Sequence, residues 1–284
     1  LYQREGAYIP RVAAVHDMCG YGKCSLGVAI PVLSAAGVDV CPVPTALFSA
    51  HTKFPVFHMH DTTDMLEAYL DAWREENVEL DGVYSGFLGS AEQVAVIQRL
   101  YREYPNALRI VDPVMGDGGK AYRTVTKQHC LDLKGLTALA DIVTPNITEA
   151  CLLTDTPWKD GVWTDCELEG ICRKLHALGP EKIVITGLPL SAQRGGGFLN
   201  FLSVKKEDTI CFSRCEMPSA GQSRHGTGDI FAAILSADAV KGVDFEASVQ
   251  KAARFIADCI RLSDRLGIPE PEGVCFENLL GQLL

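Results

Sequence analysis

Arg11-Val-Ala-Ala-Val-His16, then Ser25 to Ala36, then Gly37 and Val38 to Val43, is the stretch whose reading decides the fold. The first run is short, apolar and ends in a polar loop, so it reads as a buried strand. Ser25 to Ala36 has helical spacing and stops at Gly37, a C-terminal stop signal. Val38 to Val43 is β-branched and apolar, a second strand. Strand, helix and strand in this order imply a right-handed crossover and parallel pairing.

The alternation continues outward. Asp64 to Glu76 reads as an amphipathic helix, Gly82 to Ser85 as a strand, and Ala91 to Tyr104 as a helix broken by Pro105-Asn106. Leu108 to Asp112 is the next strand, followed by a glycine-rich loop from Pro113 to Lys120. Asp141 to Thr144 and Lys182 to Thr186 are strands; Ile147 to Leu153 and Leu168 to Leu178 are helices. Phe198 to Val204 and Thr209 to Cys215 alternate around Lys205 to Asp208, the pattern of an antiparallel hairpin at a sheet edge. Helices near Gly228 to Val240 and Phe245 to Leu262 follow. No repeat or linker interrupts residues 1–284, so one α/β domain is expected, with a mostly parallel central sheet covered on both faces. Ligands of such sheets sit beyond the carboxyl ends of the strands.

Composition narrows the partners. The 284 residues hold 26 Lys+Arg against 36 Asp+Glu, a net charge of −10, with 47% hydrophobic residues. An acidic surface offers nucleic acid or an anionic membrane no attraction. A nucleotide remains compatible, because Mg²⁺ and a few backbone amides neutralise phosphates locally. The 11 cysteines are odd in number, dispersed and without a CxxC pair, as expected of reduced, mostly buried thiols. No signal peptide is read, and Cys24 to Val38, interrupted by Pro31, is too short to cross a bilayer. A cytoplasmic protein is expected.

Three motifs can carry chemistry. In His225-Gly226-Thr227-Gly228-Asp229 two glycines let backbone N–H groups face an anion at a helix start, and Asp229 could accept a proton beside it. The same letters also describe a glycine turn with a dipole-stabilising Asp. Asp112-Pro-Val-Met-Gly-Asp117-Gly118-Gly119 puts a carboxylate and glycines at a strand end, or simply makes a turn. Thr144-Pro145-Asn146-Ile147-Thr148-Glu149 sets Asn146 and Glu149 on one helix face, either as a Mg²⁺ shell with water between or as an N-cap with an acidic first turn. Lesser features carry little. Gly22-Lys23-Cys24 lacks the first glycine and the Ser/Thr of a P-loop. His58-Met-His60-Asp61 crowds a loop, Gly195-Gly196-Gly197 reads as a loose connection, and no basic partner activates Cys19 or Cys24.

Together these motifs resemble the ribokinase superfamily and, within it, the pyridoxal kinase group, from Arg11 to about Leu262. Tyr21-Gly22, Pro31, Gly37, Thr45-Ala-Leu-Phe-Ser-Ala-His51-Thr52, Ser85-Gly-Phe-Leu-Gly-Ser90 and Asp112-Pro-Val-Met-Gly116 match family blocks in order. The resemblance implies a ribokinase-like fold with a small flap, Ser49 to Thr62, over the active site. It implies transfer of the γ-phosphoryl of ATP to the hydroxymethyl group of a vitamin B6 vitamer, feeding pyridoxal 5'-phosphate salvage. Carried over by motif, Asp229 is the base and Gly226, Thr227 and Gly228 are the anion hole. Asp112 and Glu149 organise Mg²⁺ and phosphates, with Asn146 and Thr186 also at the nucleotide. Asp17, Tyr21, Thr52, Lys53 and Phe87 lie at the vitamer. A K⁺ beside the nucleotide and a homodimer are further family expectations. Two departures stand out: Asp17 where better-known members carry Ser, and Thr186 where some place Lys. A carboxylate at Asp17 is expected to favour a substrate with a cationic ring nitrogen or amine, such as pyridoxamine. Hydroxymethylpyrimidine kinase and a non-catalytic vitamer binder are the alternatives.

Overall fold

The computed structural model describes residues 8–122, 125–190, 196–221 and 224–284. Its strands are β1 (Arg11–Cys19), β2 (Asp39–Phe48), β3 (Met59–Asp61), β4 (Gly82–Ser85), β5 (Leu108–Val111), β6 (Gly116–Asp117), β7 (Lys120–Ala121), β8 (Ile142–Val143), β9 (Lys182–Pro189), β10 (Phe198–Lys206) and β11 (Thr209–Met217). The α-helices are α1 (Leu26–Ala35), α2 (Thr63–Glu75), α3 (Ala91–Glu103), α4 (Lys127–Thr137), α5 (Ile147–Thr154), α6 (Asp165–Leu178), α7 (Thr227–Val240) and α8 (Phe245–Leu266).

Nine strands form one sheet in the order β11-β10-β9-β8-β5-β4-β1-β2-β3. The run from β9 to β2 is parallel; the hairpin β10–β11 and the short β3 close the two ends antiparallel. Alternate residues of β1 explain why its sequence is continuously apolar. Val12 and Ala14 pack under α1, α7 and α8, whereas Ala13 and Val15 pack under the helices of the opposite face. Each face therefore excludes water, and a strand buried on both faces has no polar side to show. The α/β arrangement, the parallel centre and the edge hairpin are as expected from the sequence.

Four differences stand out. The strand beginning at Val38 was expected to end at Val43, yet β2 runs to Phe48. Pro42 and Pro44 lack only their own donors, and the extension pairs with β3. Helix α4 was not expected, because Gly135 interrupts an already mixed pattern; Thr126 caps it by accepting from the His129 N–H. Ser25 was placed inside the first helix but stands before it at φ 53° and ψ −133°. The expected His58–Asp61 loop contains β3, with exposed side chains. Gly195 lies outside the described residues.

Chain order reverses about β1. It leaves β1 for β2 on one side, then returns across to β4, β5, β8 and β9 on the other. Such a switch point opens a crevice beyond the strand ends. The β1–α1 turn, the segment after β5 and the start of α7 meet there.

Candidate active site

Helix α7 begins at Gly226, in the left-handed region at φ 83°, with no side chain capping it. A Cβ at Gly226 would lie 2.6 Å from the Lys23 carbonyl oxygen, so only glycine fits the turn. Uncapped first-turn N–H groups at the positive end of the helix dipole suit an anion. Thr227 and Gly228 line a cavity of about 140 Å³ with Thr186, Asn200, Phe231 and the α8 residues Ala253, Ile256, Ala257 and Ile260. Thus two of the three expected anion-hole residues, Thr227 and Gly228, share one cavity with Thr186. The α8 residues recur at helical spacing and read as core in sequence, so no signal separated their pocket role from packing.

Asp229, in the first turn of α7, accepts a 2.9 Å hydrogen bond from the Ser25 N–H through Oδ2. Its removal from water, with Asp112 and Asp17 nearby, pushes its carboxyl up to about 7 despite that bond. The unusual backbone of Ser25 aims this N–H, a strain of the kind concentrated at functional sites. The Ser25 hydroxyl donates to Asp17 Oδ1 at 2.6 Å. Sequence reasoning missed Ser25, because the helical spacing counted it as the first residue of α1.

Asp17, expected at the vitamer, lies close enough to Asp229 and His51 for their charges to interact. It is 6% exposed, and Oδ2 accepts from the Cys19 thiol while Oδ1 holds Ser25. Burial raises its pKa. The side chain supports Ser25, whose N–H orients Asp229.

Asp112 follows β5 and accepts from the Thr144 hydroxyl at 3.3 Å; burial pushes it up to about 7. Glu149 is buried, with Oε1 accepting from the Met115 N–H and Oε2 from the Asn146 N–H. Asn146 Oδ1 accepts from the Glu149 N–H, completing a capping box, and its Nδ2 donates to the Gly116 carbonyl. The N-cap alternative for this motif is therefore realised, and Glu149 can reach a cation chiefly through water. Burial and Asp112 hold the Glu149 carboxyl well above its ordinary range. Asp112, Glu149 and Asp229 resist ionisation largely through burial and one another, the donor chemistry a hard divalent cation relieves.

Across the crevice, Phe87 is half-buried and meets Phe48 edge-on at 6.4 Å. Tyr21 tilts against Phe54 at 5.0 Å. Thr52 and Lys53 are exposed on the segment between β2 and β3. His51 anchors that segment: Nε2 donates to the Pro271 carbonyl at 2.8 Å, while Nδ1 accepts from the Lys53 N–H. A Cβ on Gly22 would lie 2.2 Å from the His51 ring, which explains glycine there.

A fold and crevice of this kind define a small-molecule kinase of ribokinase-like architecture, and residues 29–272 match the phosphomethylpyrimidine kinase family. The chain belongs to that family. It is 30% identical over 271 residues to the pyridoxine/pyridoxal/pyridoxamine kinase of Bordetella avium, covering 89% of this chain and 86% of that protein. A Bacteroides thetaiotaomicron protein provisionally described as a phosphomethylpyrimidine kinase, crystallised with pyridoxal, superposes with a TM-score of 0.89 and 32% identity, covering 97% of this chain and 96% of that one. The pyridoxal kinase of Leishmania donovani with ADP and pyridoxamine shares the fold at a TM-score of 0.85 and 22% identity, covering 96% and 95% of the two chains.

Proposed function

We propose that this chain phosphorylates the 5'-hydroxymethyl group of a vitamin B6 vitamer with ATP, feeding pyridoxal 5'-phosphate salvage. The observation that carries the reading is Asp229, pushed up to about 7 beside the uncapped start of α7. A carboxylate poised near neutrality can take the hydroxyl proton, while Gly226, Thr227 and Gly228 amides receive charge on the transferring phosphoryl group. The Ser25 N–H orients that carboxylate, and Asp17 holds Ser25. Thr186 and the apolar α8 face would receive the nucleotide. Phe87, Tyr21, Thr52 and Lys53 would enclose the vitamer, with residues 49–62 as the flap that excludes water.

The donor set fits Mg²⁺: Asp112 would hold it directly, and Glu149 and Asn146 through water. The ion would neutralise phosphate charge when bound. A K⁺ beside the nucleotide rests on the family resemblance alone. The homodimer reading likewise rests on the family resemblance. A cytoplasmic location accords with the free state of its cysteines; among the described residues no helix is long and apolar enough to cross a membrane.

A coupled ADP-release assay over pyridoxal, pyridoxine, pyridoxamine and hydroxymethylpyrimidine tests the reading. Turnover on a B6 vitamer is expected. Turnover confined to hydroxymethylpyrimidine replaces it with the thiamine-related alternative, and vitamer binding without ADP release replaces it with a binder.

A further inference from the structure

The β1–α1 turn gathers a second set of donors that the phosphoryl-transfer reading does not use for metal. Asp17 and Cys19, two apart on β1, share one face of the strand. The turn through Gly20 and Gly22 brings Cys24 back onto them: the Gly20 N–H donates to the Phe48 carbonyl, and Gly22 takes φ 87°. One carboxylate oxygen and two thiol sulfurs consequently lie within 4.8 Å of one another. The Cys19 thiol already donates to Asp17 Oδ2 at 3.3 Å. Asp17 and Cys19 are buried and Cys24 is half-buried, so the cluster opens on the Cys24 side. Among the described residues it is the one grouping of three or more His, Cys, Asp or Glu donors at such distances. His58, His60 and Asp61 form no such group.

We propose that Asp17, Cys19 and Cys24 form a binding site for one thiophilic d¹⁰ cation, of the Zn²⁺ or Cd²⁺ class. Two sulfurs and one oxygen make a soft-to-borderline set, unsuited to Mg²⁺, and leave a fourth tetrahedral position for water. Binding replaces two S–H bonds with two metal–sulfur bonds, and both thiol protons pass to solvent. The ion also takes Asp17 Oδ2, whereas Oδ1 stays with the Ser25 hydroxyl. Cys24 directly precedes Ser25, so the ion would fasten the turn that holds Asp229 from two sides.

The probe is Cd²⁺, added to the full chain without nucleotide after reduction with a non-thiol phosphine. Cadmium–thiolate charge-transfer absorption in the ultraviolet reports sulfur ligation directly. We expect one tight equivalent in the wild type and in Cys166→Ser, whose cysteine is exposed elsewhere on α6. Cys19→Ser and Cys24→Ser should each weaken it at least ~100-fold, since losses merely in the outer shell cost about 10–100-fold. Circular dichroism of each variant confirms that it is folded. The proposal is overturned by unchanged absorption in folded Cys19→Ser or Cys24→Ser. It is equally overturned by a reduced wild type with no tight equivalent, or by a Cys19–Cys24 disulfide that resists the phosphine.

Discussion

Replacing Asp229 by Asn should make the free protein more stable while removing its activity. The Asp229 carboxyl is raised from its ordinary 3.8 to about 7 by burial and by Asp112 and Asp17. A raised carboxyl contributes stability in full below the unfolded value, and that contribution is lost as pH rises through the folded value. Over that interval, at about 1.36 kcal/mol per pH unit, the full loss is about 4 kcal/mol. Asp229 keeps some contact with water, so about half of that, ~2 kcal/mol, is the working figure. The helix dipole favours a carboxylate at this position by only about 0.3–1 kcal/mol, which leaves the sign unchanged. The Asn side chain can still accept from the Ser25 N–H. Thermal unfolding without Mg²⁺ or nucleotide should therefore show Asp229→Asn above wild type by roughly 4–8 °C at pH 8, at about 2–4 °C per kcal/mol. The gap should close between pH 7 and 4. Turnover should fall by about 10²–10⁴-fold, the usual contribution of general base catalysis. An Asn variant that melts at or below wild type at pH 8, or a gap that widens toward acid, refutes the reasoning.

Other substitutions separate the parts of the site. Gly226→Ala puts a Cβ 2.6 Å from the Lys23 carbonyl in a left-handed turn, so melting should reveal a loss of about 1–3 kcal/mol and the KM for ATP should rise. Ala257→Leu narrows the roughly 140 Å³ cavity; steady-state kinetics should show the ATP KM rising about tenfold and the vitamer KM changing less than about twofold. Ser25→Gly keeps the N–H that Asp229 uses and suits φ 53°, so kcat should stay within about threefold; a loss as large as that of Asp229→Asn, about 10²-fold or more, would assign the hydroxyl the larger part. Asp17→Ser should leave the pyridoxal-to-pyridoxamine kcat/KM ratio within about twofold, because both carboxylate oxygens already have protein partners. A shift beyond that places the Asp17 carboxylate at the vitamer.

The sheet was legible because its strands are apolar on both faces and its helices mostly end at glycines or polar breaks. Helix α4 escaped because Gly135 and a mixed face dilute its period; only Leu133, Leu136, Thr137 and His129 are buried. Asp229 and Asp112 could be placed at a helix start and a strand end because glycines and a proline beside them leave local marks. Asn146 and Glu149 stand at the start of α5 as their spacing predicts, but one motif could not distinguish a cap from a cation shell. Here the capping box takes one carboxylate oxygen and the Met115 N–H takes the other. Ser25 was invisible because its role depends on a positive φ and on a partner 204 positions away. The partners of Asp17 were invisible for a related reason, since its bonds with Ser25 and Cys19 depend on how the β1–α1 turn folds back.

The central claim is that Asp229 at the start of α7 drives phosphoryl transfer to a B6 vitamer. The most direct measurement is chromatographic quantitation of pyridoxal 5'-phosphate formed from pyridoxal, ATP and Mg²⁺ by wild type and Asp229→Asn, with melting curves confirming both folded. Wild type should form the phosphate, and the folded Asn variant should form it at least about 100-fold more slowly. Equal rates in the two proteins, or no product from wild type with any of the three vitamers, would contradict the account.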